Sequence, residues 1–220
     1  MTLNGPKRQA ASGQASSLVI FLHGYGADGN DLMGLAEPLA QHLPDTMFLA
    51  PDAPQACVAN PFGRQWFPIP YIDGSSQSEA MAGMAASVSA LNDWLDSTEK
   101  TTGIAPERTV LVGFSQGTMM SLHVAPRRAR AFAGVVGFSG RLLAPERLAA
   151  DAKVYPPVLL VHGDRDEVVP PSSLPEAADA LRAAGFEVGT HVSEGTAHGI
   201  APDGLGLALE FIRQVLPAAE

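Results

Sequence analysis

Two rhythms of apolar residues divide this chain. Short runs rich in Val, Ile, Leu and Phe fall at 18–22, 46–50, 109–112, 133–138, 158–161 and 187–191. Several are apolar at nearly every position, as strands covered on both faces are. Between them lie longer stretches in which apolar positions return every three or four residues, the period of a helix. Leu32, Leu35, Ala36, Leu39 and Leu43 share one face of a helix expected from Asp31, its cap, to about His42. Met81, Met84, Val88, Leu91 and Leu95 do the same over 77–97, with the methionines read as core filler. Further helices are expected from Leu174 to Gly185 and from Asp203 through Phe211, Ile212 and Val215. Strands alternating with helices predict an α/β domain built on a mostly parallel sheet. One long stretch, 51–76, has no period and is rich in Pro, Gly and aromatic residues. Its length marks it as a functional loop.

At 220 residues and 46% apolar content the chain supports one well-filled core, so a single domain over 16–220 is expected. Residues 1–15 lack an apolar run and read as a flexible tail. Neither a signal-peptide core nor an 18-residue apolar stretch occurs, which argues against stable membrane insertion and for a cytoplasmic location. The net charge of −9 argues against nucleic-acid binding, which rests on clustered Lys and Arg. Arg127, Arg128 and Arg130 form one basic cluster and read as a solvated helix end. The single cysteine, Cys57, cannot form an intramolecular disulfide and reads as a packing residue.

The candidate chemistry begins at Gly113-Phe114-Ser115-Gln116-Gly117, a G-x-S-x-G pattern between an expected strand and an apolar helical segment. A sharp turn there lifts the serine hydroxyl clear of the sheet, and glycine two residues to either side avoids collision. Gly137-Phe138-Ser139-Gly140-Arg141 is a near-copy that lacks the closing glycine. A serine hydroxyl needs a base. Of six histidines, His198 alone falls in a loop between the last strand and the last helix. His23 and His162 end strands before glycine and read as loop-packing residues. Asp164 and Asp166, after the strand at 158–161, are both placed to orient that base. The order serine, aspartate, histidine suits a strand-edge triad. Gly24-Tyr25-Gly26 allows a backbone N–H to face the serine from the next strand, with the N–H of Gln116 as second oxyanion donor. Gly24, Gly26 and Gly29 also spell G-x-G-x-x-G, with Asp52 about 20 residues on, so dinucleotide binding competes as a reading of the same turn.

These blocks together resemble the phospholipase/carboxylesterase family of α/β-hydrolases, which includes bacterial carboxylesterases and acyl-protein thioesterases. The resemblance runs from about Leu18 to Leu216. It rests on Phe21-Leu22-His23-Gly24-Tyr25-Gly26-Ala27-Asp28, the Ser115 motif, His162-Gly163-Asp164-Arg165-Asp166 and Ala197-His198-Gly199. It implies a lid-free single domain and Asp166 as the acid. It also implies Tyr25 and Gln116 as oxyanion donors, with no metal or cofactor. The substrate would be a small ester or thioester, and a homodimer would fit. The leucine common at position 25 is replaced here by tyrosine. Trp66-Phe67 matches an aromatic pair before the long helix, making Trp66 a wall of the substrate pocket, with a loop anchor as the competing reading. Phe114, Met119, Val168 and Ile200 complete the expected apolar pocket. Expected activity is hydrolysis of short- to medium-chain carboxylic esters. Protein deacylation and lysophospholipid hydrolysis would use the same triad, and activity should fall in acid as His198 takes up a proton.

Overall fold

The computed structural model describes residues 3–217. A seven-stranded sheet forms its centre, in the order β1-β3-β2-β6-β7-β8-β9. The strands are β1 (Lys7–Arg8), β2 (Ser17–Leu22), β3 (Thr46–Leu49), β6 (Thr109–Phe114), β7 (Gly134–Phe138), β8 (Val158–Gly163) and β9 (Val188–Ser193). A two-residue ribbon, β4 (Gln55–Ala56) and β5 (Arg64–Gln65), stands apart. Every pairing in the main sheet is parallel except β1 with β3.

The apolar runs produce this sheet because both faces are covered. Leu18, Ile20 and Leu22 of β2 enter one core together with Leu91 and Leu95. Val19 and Phe21 enter the other, with Leu32, Leu39 and Ile212. The first core is covered by α4 (Gln77–Thr102), α5 (Gln116–Val124), α6 (Pro145–Asp151) and α7 (Ser173–Ala183). The second is covered by α1 (Gly29–Met33), α2 (Ala36–Ala40) and α8 (Pro202–Val215). A four-residue helix, α3 (Pro70–Asp73), precedes α4. Ser76 and Glu79 close a capping box at the start of α4, and Gly103 ends it in a left-handed conformation.

Three expectations are corrected. The helix predicted from Asp31 to His42 is two helices, capped by Asp28, whose carboxylate accepts the N–H of Asn30. Pro38 explains the break: it has no N–H to offer Gly34, and its ring crowds that carbonyl. The tail over 1–15 is ordered wherever it is described; Met1 and Thr2 lie outside the described residues. Lys7 and Arg8 pair with Leu49 and Phe48, Asn4 accepts the N–H of Asp52, and Leu3 is buried. Met81 is not core filler but 66% exposed. The first turns of α4 lie against Pro68 and Gln55 of the aperiodic segment, not against the sheet. Arg127, Arg128 and Arg130 are paired with Asp151, Asp96 and Glu107.

Candidate active site

Each candidate group stands just beyond the carboxyl end of a strand: Tyr25 after β2, Ser115 after β6, Asp166 after β8 and His198 after β9. That edge is where open parallel sheets place their ligands. Ser115 joins β6 to α5 at φ 53°, ψ −114°, a conformation few non-glycine residues adopt. It is held there from two sides, its N–H donating to Phe138 at 2.9 Å and its carbonyl accepting from Met119 at 3.2 Å. The flanking glycines are sterically required. A Cβ on Gly117 would stand 1.8 Å from the Leu22 carbonyl oxygen, and one on Gly113 would stand 2.4 Å from the Thr118 nitrogen.

Burial and bonding separate the two candidate aspartates. Asp164 is exposed, whereas Asp166 is 3% exposed and its Oδ2 accepts from His198 Nδ1 at 2.7 Å. Asp166 Oδ1 accepts the N–H groups of Val168 and Val169, both at 2.9 Å. Burial alone would raise the pKa of Asp166. The bond from His198 and the two backbone N–H groups outweigh it, holding the carboxyl below its ordinary value. Asp166 is therefore an anion at neutral pH, and its bond to Nδ1 leaves the other ring nitrogen of His198, Nε2, uncommitted to it. The Phe114 ring lies 4.9 Å from the His198 ring, which sets the imidazole against the end of the strand that leads into Ser115. His162, expected to pack a loop, does so: its Nε2 lies 2.9 Å from the Val169 carbonyl oxygen and 3.2 Å from Asp166 Oδ2.

The glycine turn after β2 packs onto Ser115. A Cβ on Gly24 would stand 3.4 Å from the Ser115 Cβ and 3.2 Å from the Phe114 ring. Tyr25 donates its hydroxyl to Asp73 Oδ2 at 3.1 Å, tying the turn to α3. Burial raises the phenol's pKa, and the neighbouring Cys57 thiol and Asp73 carboxylate add to the rise, so the phenol stays protonated. The dinucleotide reading fails in this geometry. The N–H of Gly29 is taken by Asp52 at 2.8 Å, and the start of α1 is filled by the Asp28 carboxylate.

Two side chains have roles that sequence reasoning missed. Ser139, in the near-copy motif, sits at φ 47° and directs its hydroxyl to the Gly199 carbonyl at 3.3 Å, beside His198. Asp73 accepts from Ile69 and Ser75 as well as from Tyr25, making it the knot of its loop. The strain at Ser139 leaves no mark in sequence, and Asp73 looks like any loop acid.

The expected pocket is only partly assembled. Phe114 and Ile200 are half-buried, Val168 is 55% exposed and Met119 is 9% exposed. Trp66 is no pocket wall. It is fully buried in the first core, with its indole N–H donating to the His23 carbonyl at 3.0 Å. An amphipathic ring whose N–H finds an internal partner has no reason to face substrate. A cleft of about 710 Å³ between the N-terminal segment and α4 contains none of these residues. Among the described residues no group of three or more His, Cys, Asp or Glu side chains is arranged to hold a metal ion. No helix among them is long and apolar enough to cross a membrane.

A serine in a strained strand-to-helix turn and an aspartate-bound histidine on the same sheet edge make an arrangement that known sequences can place. Residues 4–216 match the family described as Phospholipase/Carboxylesterase. The chain belongs to that family. Acyl-protein thioesterase 1 of Gibberella zeae is 31% identical over 94% of both chains. Esterase YpfH of Escherichia coli is 27% identical over 95% of this chain and 87% of its own. The crystal structure of esterase PE8 superimposes with a TM-score of 0.93 at 42% identity, covering 98% of this chain and all of that one. The single-domain α/β-hydrolase fold is thus shared along the whole described chain, as the phospholipase/carboxylesterase resemblance implied.

Proposed function

We propose that the protein is a serine carboxylesterase acting on short- to medium-chain carboxylic esters through an acyl-enzyme. The observation that carries this reading is the 2.7 Å Asp166–His198 bond, with the His198 ring against Phe114, the residue before Ser115 in its strained turn. Ser115 Oγ forms a bond to the ester carbonyl carbon as His198 Nε2 takes the hydroxyl proton. The carbonyl oxygen becomes an oxyanion, held by the N–H groups of Tyr25 and Gln116. Collapse breaks the bond to the leaving alcohol, which departs with the proton from His198. Water then attacks the acyl-enzyme by the same route, releasing the acid and restoring Ser115. Phe114, Met119, Val168 and Ile200 serve the acyl chain. Exposed Tyr71 and Ile72 on α3, next to the Asp73 that holds Tyr25, extend that apolar border.

Thioester cleavage is the second reading, supported by the Gibberella zeae relative, and needs only a thiol as leaving group. Fluorophosphonate labelling tests the chemistry. One adduct on Ser115 of the folded protein is expected, and its absence would refute the catalytic reading. A series of p-nitrophenyl esters of rising chain length, run beside an acyl thioester and a lysophospholipid, then ranks the substrates. Short to medium esters should give the highest kcat/KM.

A further inference from the structure

An oxyanion hole works only if its two N–H groups keep a fixed separation and aim at one point. Here Tyr25 lies in the turn after β2, while Gln116 is the first residue of α5. The ladder joining β2 to β6 ends at Leu22 and Gly113, short of both donors. Packing of Gly117 on the Leu22 carbonyl and of Gly24 on Ser115 brings the two segments together, and the bonds around them fix the donors' aim.

Trp66 is bonded to both sides. Its indole N–H donates to the His23 carbonyl at 3.0 Å, and its backbone N–H donates to Gln116 Oε1 at 2.8 Å. Gln116 answers with Nε2, which donates to the Phe67 carbonyl at 2.7 Å. His23 carries the constraint one residue further. Its Nε2 accepts the N–H of Ala53 at 3.0 Å, so the ring proton is on Nδ1, which donates to the Gly24 carbonyl at 2.8 Å. That carbonyl and the N–H of Tyr25 belong to one trans peptide, and its two ends point in opposite directions. Gripping the carbonyl aims the N–H. His23 and Trp66 are 0% exposed and Gln116 1%, so water cannot replace these bonds when one is lost. The Trp66 carbonyl is fixed in turn by Gln55 Nε2 at 3.1 Å and by the Ser87 hydroxyl.

We propose that Trp66 is a positioning residue. Bonded through His23 to the Gly24–Tyr25 peptide and through the Gln116 side chain to α5, it sets the separation and aim of the two oxyanion donors. The inference rests on the hydrolase reading above, and Trp66 itself touches no reacting atom. The aperiodic segment then acts on catalysis from behind the site.

Trp66→Phe removes the indole donor and keeps an aromatic plug; Gln116→Met removes both amide bonds and keeps the backbone N–H. Each should lower kcat by about tenfold or more, with KM within about twofold. Affinity for a trifluoromethyl ketone, whose Ser115 adduct carries an oxyanion, should fall by a similar factor. The double variant should lose less than the product of the two single losses, because both act through one chain of bonds. Ser87→Ala, one bond removed from the spacer, should cost about two- to threefold. The proposal is overturned if both main variants, folded and assayed well below their melting temperatures, keep kcat and ketone affinity within about twofold. A lowered Tm with wild-type kcat and ketone affinity assigns Trp66 to stability alone and also overturns it. Should Trp66→Phe fail to fold, Gln116→Met and Ser87→Ala decide by the same criteria. If the wild-type protein neither takes fluorophosphonate on Ser115 nor turns over esters, the hydrolase reading falls and this inference with it. An active wild type with unchanged variants defeats the inference alone.

Discussion

The two halves of the proposed site, acid–base and oxyanion, are built in different ways. The acid–base half is local. Asp166 binds the N–H groups two and three residues ahead of it, and one further bond reaches His198 in the loop after the neighbouring strand. The oxyanion half is assembled from a distance, since Trp66 reaches back 43 residues to His23 and forward 50 to Gln116. Tyr25 and Asp73 are 48 residues apart. A local half depends on few atoms, each of which matters greatly. A half assembled from a distance shares its task among many bonds, so each loss should be smaller.

Asp166→Asn gives the sharpest break. The amide would present an N–H to His198 Nδ1 and favour the wrong tautomer, so kcat should fall by roughly 10³–10⁴ with KM little changed. Steady-state kinetics on a p-nitrophenyl ester measures this directly. A loss below tenfold would show that the local half is not the more sensitive one.

Acid separates failure of the site from failure of the fold. His123 lies on α5, with Nδ1 buried and unpaired. Burial first, and then Arg127, lower its pKa to about 4. The folded state thus resists protonating a group that the unfolded chain protonates near its ordinary value of 6.5. The fold is fully stable, in this respect, above that value and weakens as the pH falls towards 4. Discounted for solvent screening of this partly exposed ring, the loss should reach about 1–2 kcal/mol. Denaturant titrations at pH 7 and pH 4 should reveal it, and His123→Gln should remove most of the difference.

Tyr25→Phe keeps the N–H and the ring but frees Asp73. A fall in kcat of about fivefold is expected, roughly 1 kcal/mol, without a large change in KM for an acetyl ester. Ser139→Ala should matter least, about two- to threefold in kcat, because its bond to Gly199 is long at 3.3 Å. Tyr25→Phe asks whether the shared half tolerates a lost bond, and Ser139→Ala asks the same of the support beside His198.

The same contrast governs what could be read from the sequence. The strands at 18–22 and 109–112 were legible because burial on both faces leaves few polar positions. The G-x-S-x-G turn was legible because its glycines answer to contacts within a few residues. Asp166 and Asp164 could not be told apart by spacing, since burial and the bond to His198 separate them. Lys7 and Arg8 gave no sign of a strand, because their pairing uses backbone alone. Trp66 was placed on the wrong side of the loop. An aromatic ring with a polar tip looks the same lining a pocket or buried in a core, and only its partner 43 residues away decides.

Cys57 adds a consequence for measurement. It is the chain's sole thiol, and it is 4% exposed, with its N–H bonded to Gly63 and its sulfur close to Gly26. A thiol reagent can reach it only when the segment around the oxyanion turn swings open. The rate of its reaction therefore counts openings of that segment in the unmodified protein, without any added label. Set beside the global unfolding rate, it tells whether the scaffold behind the oxyanion donors loosens by itself or melts only with the whole domain.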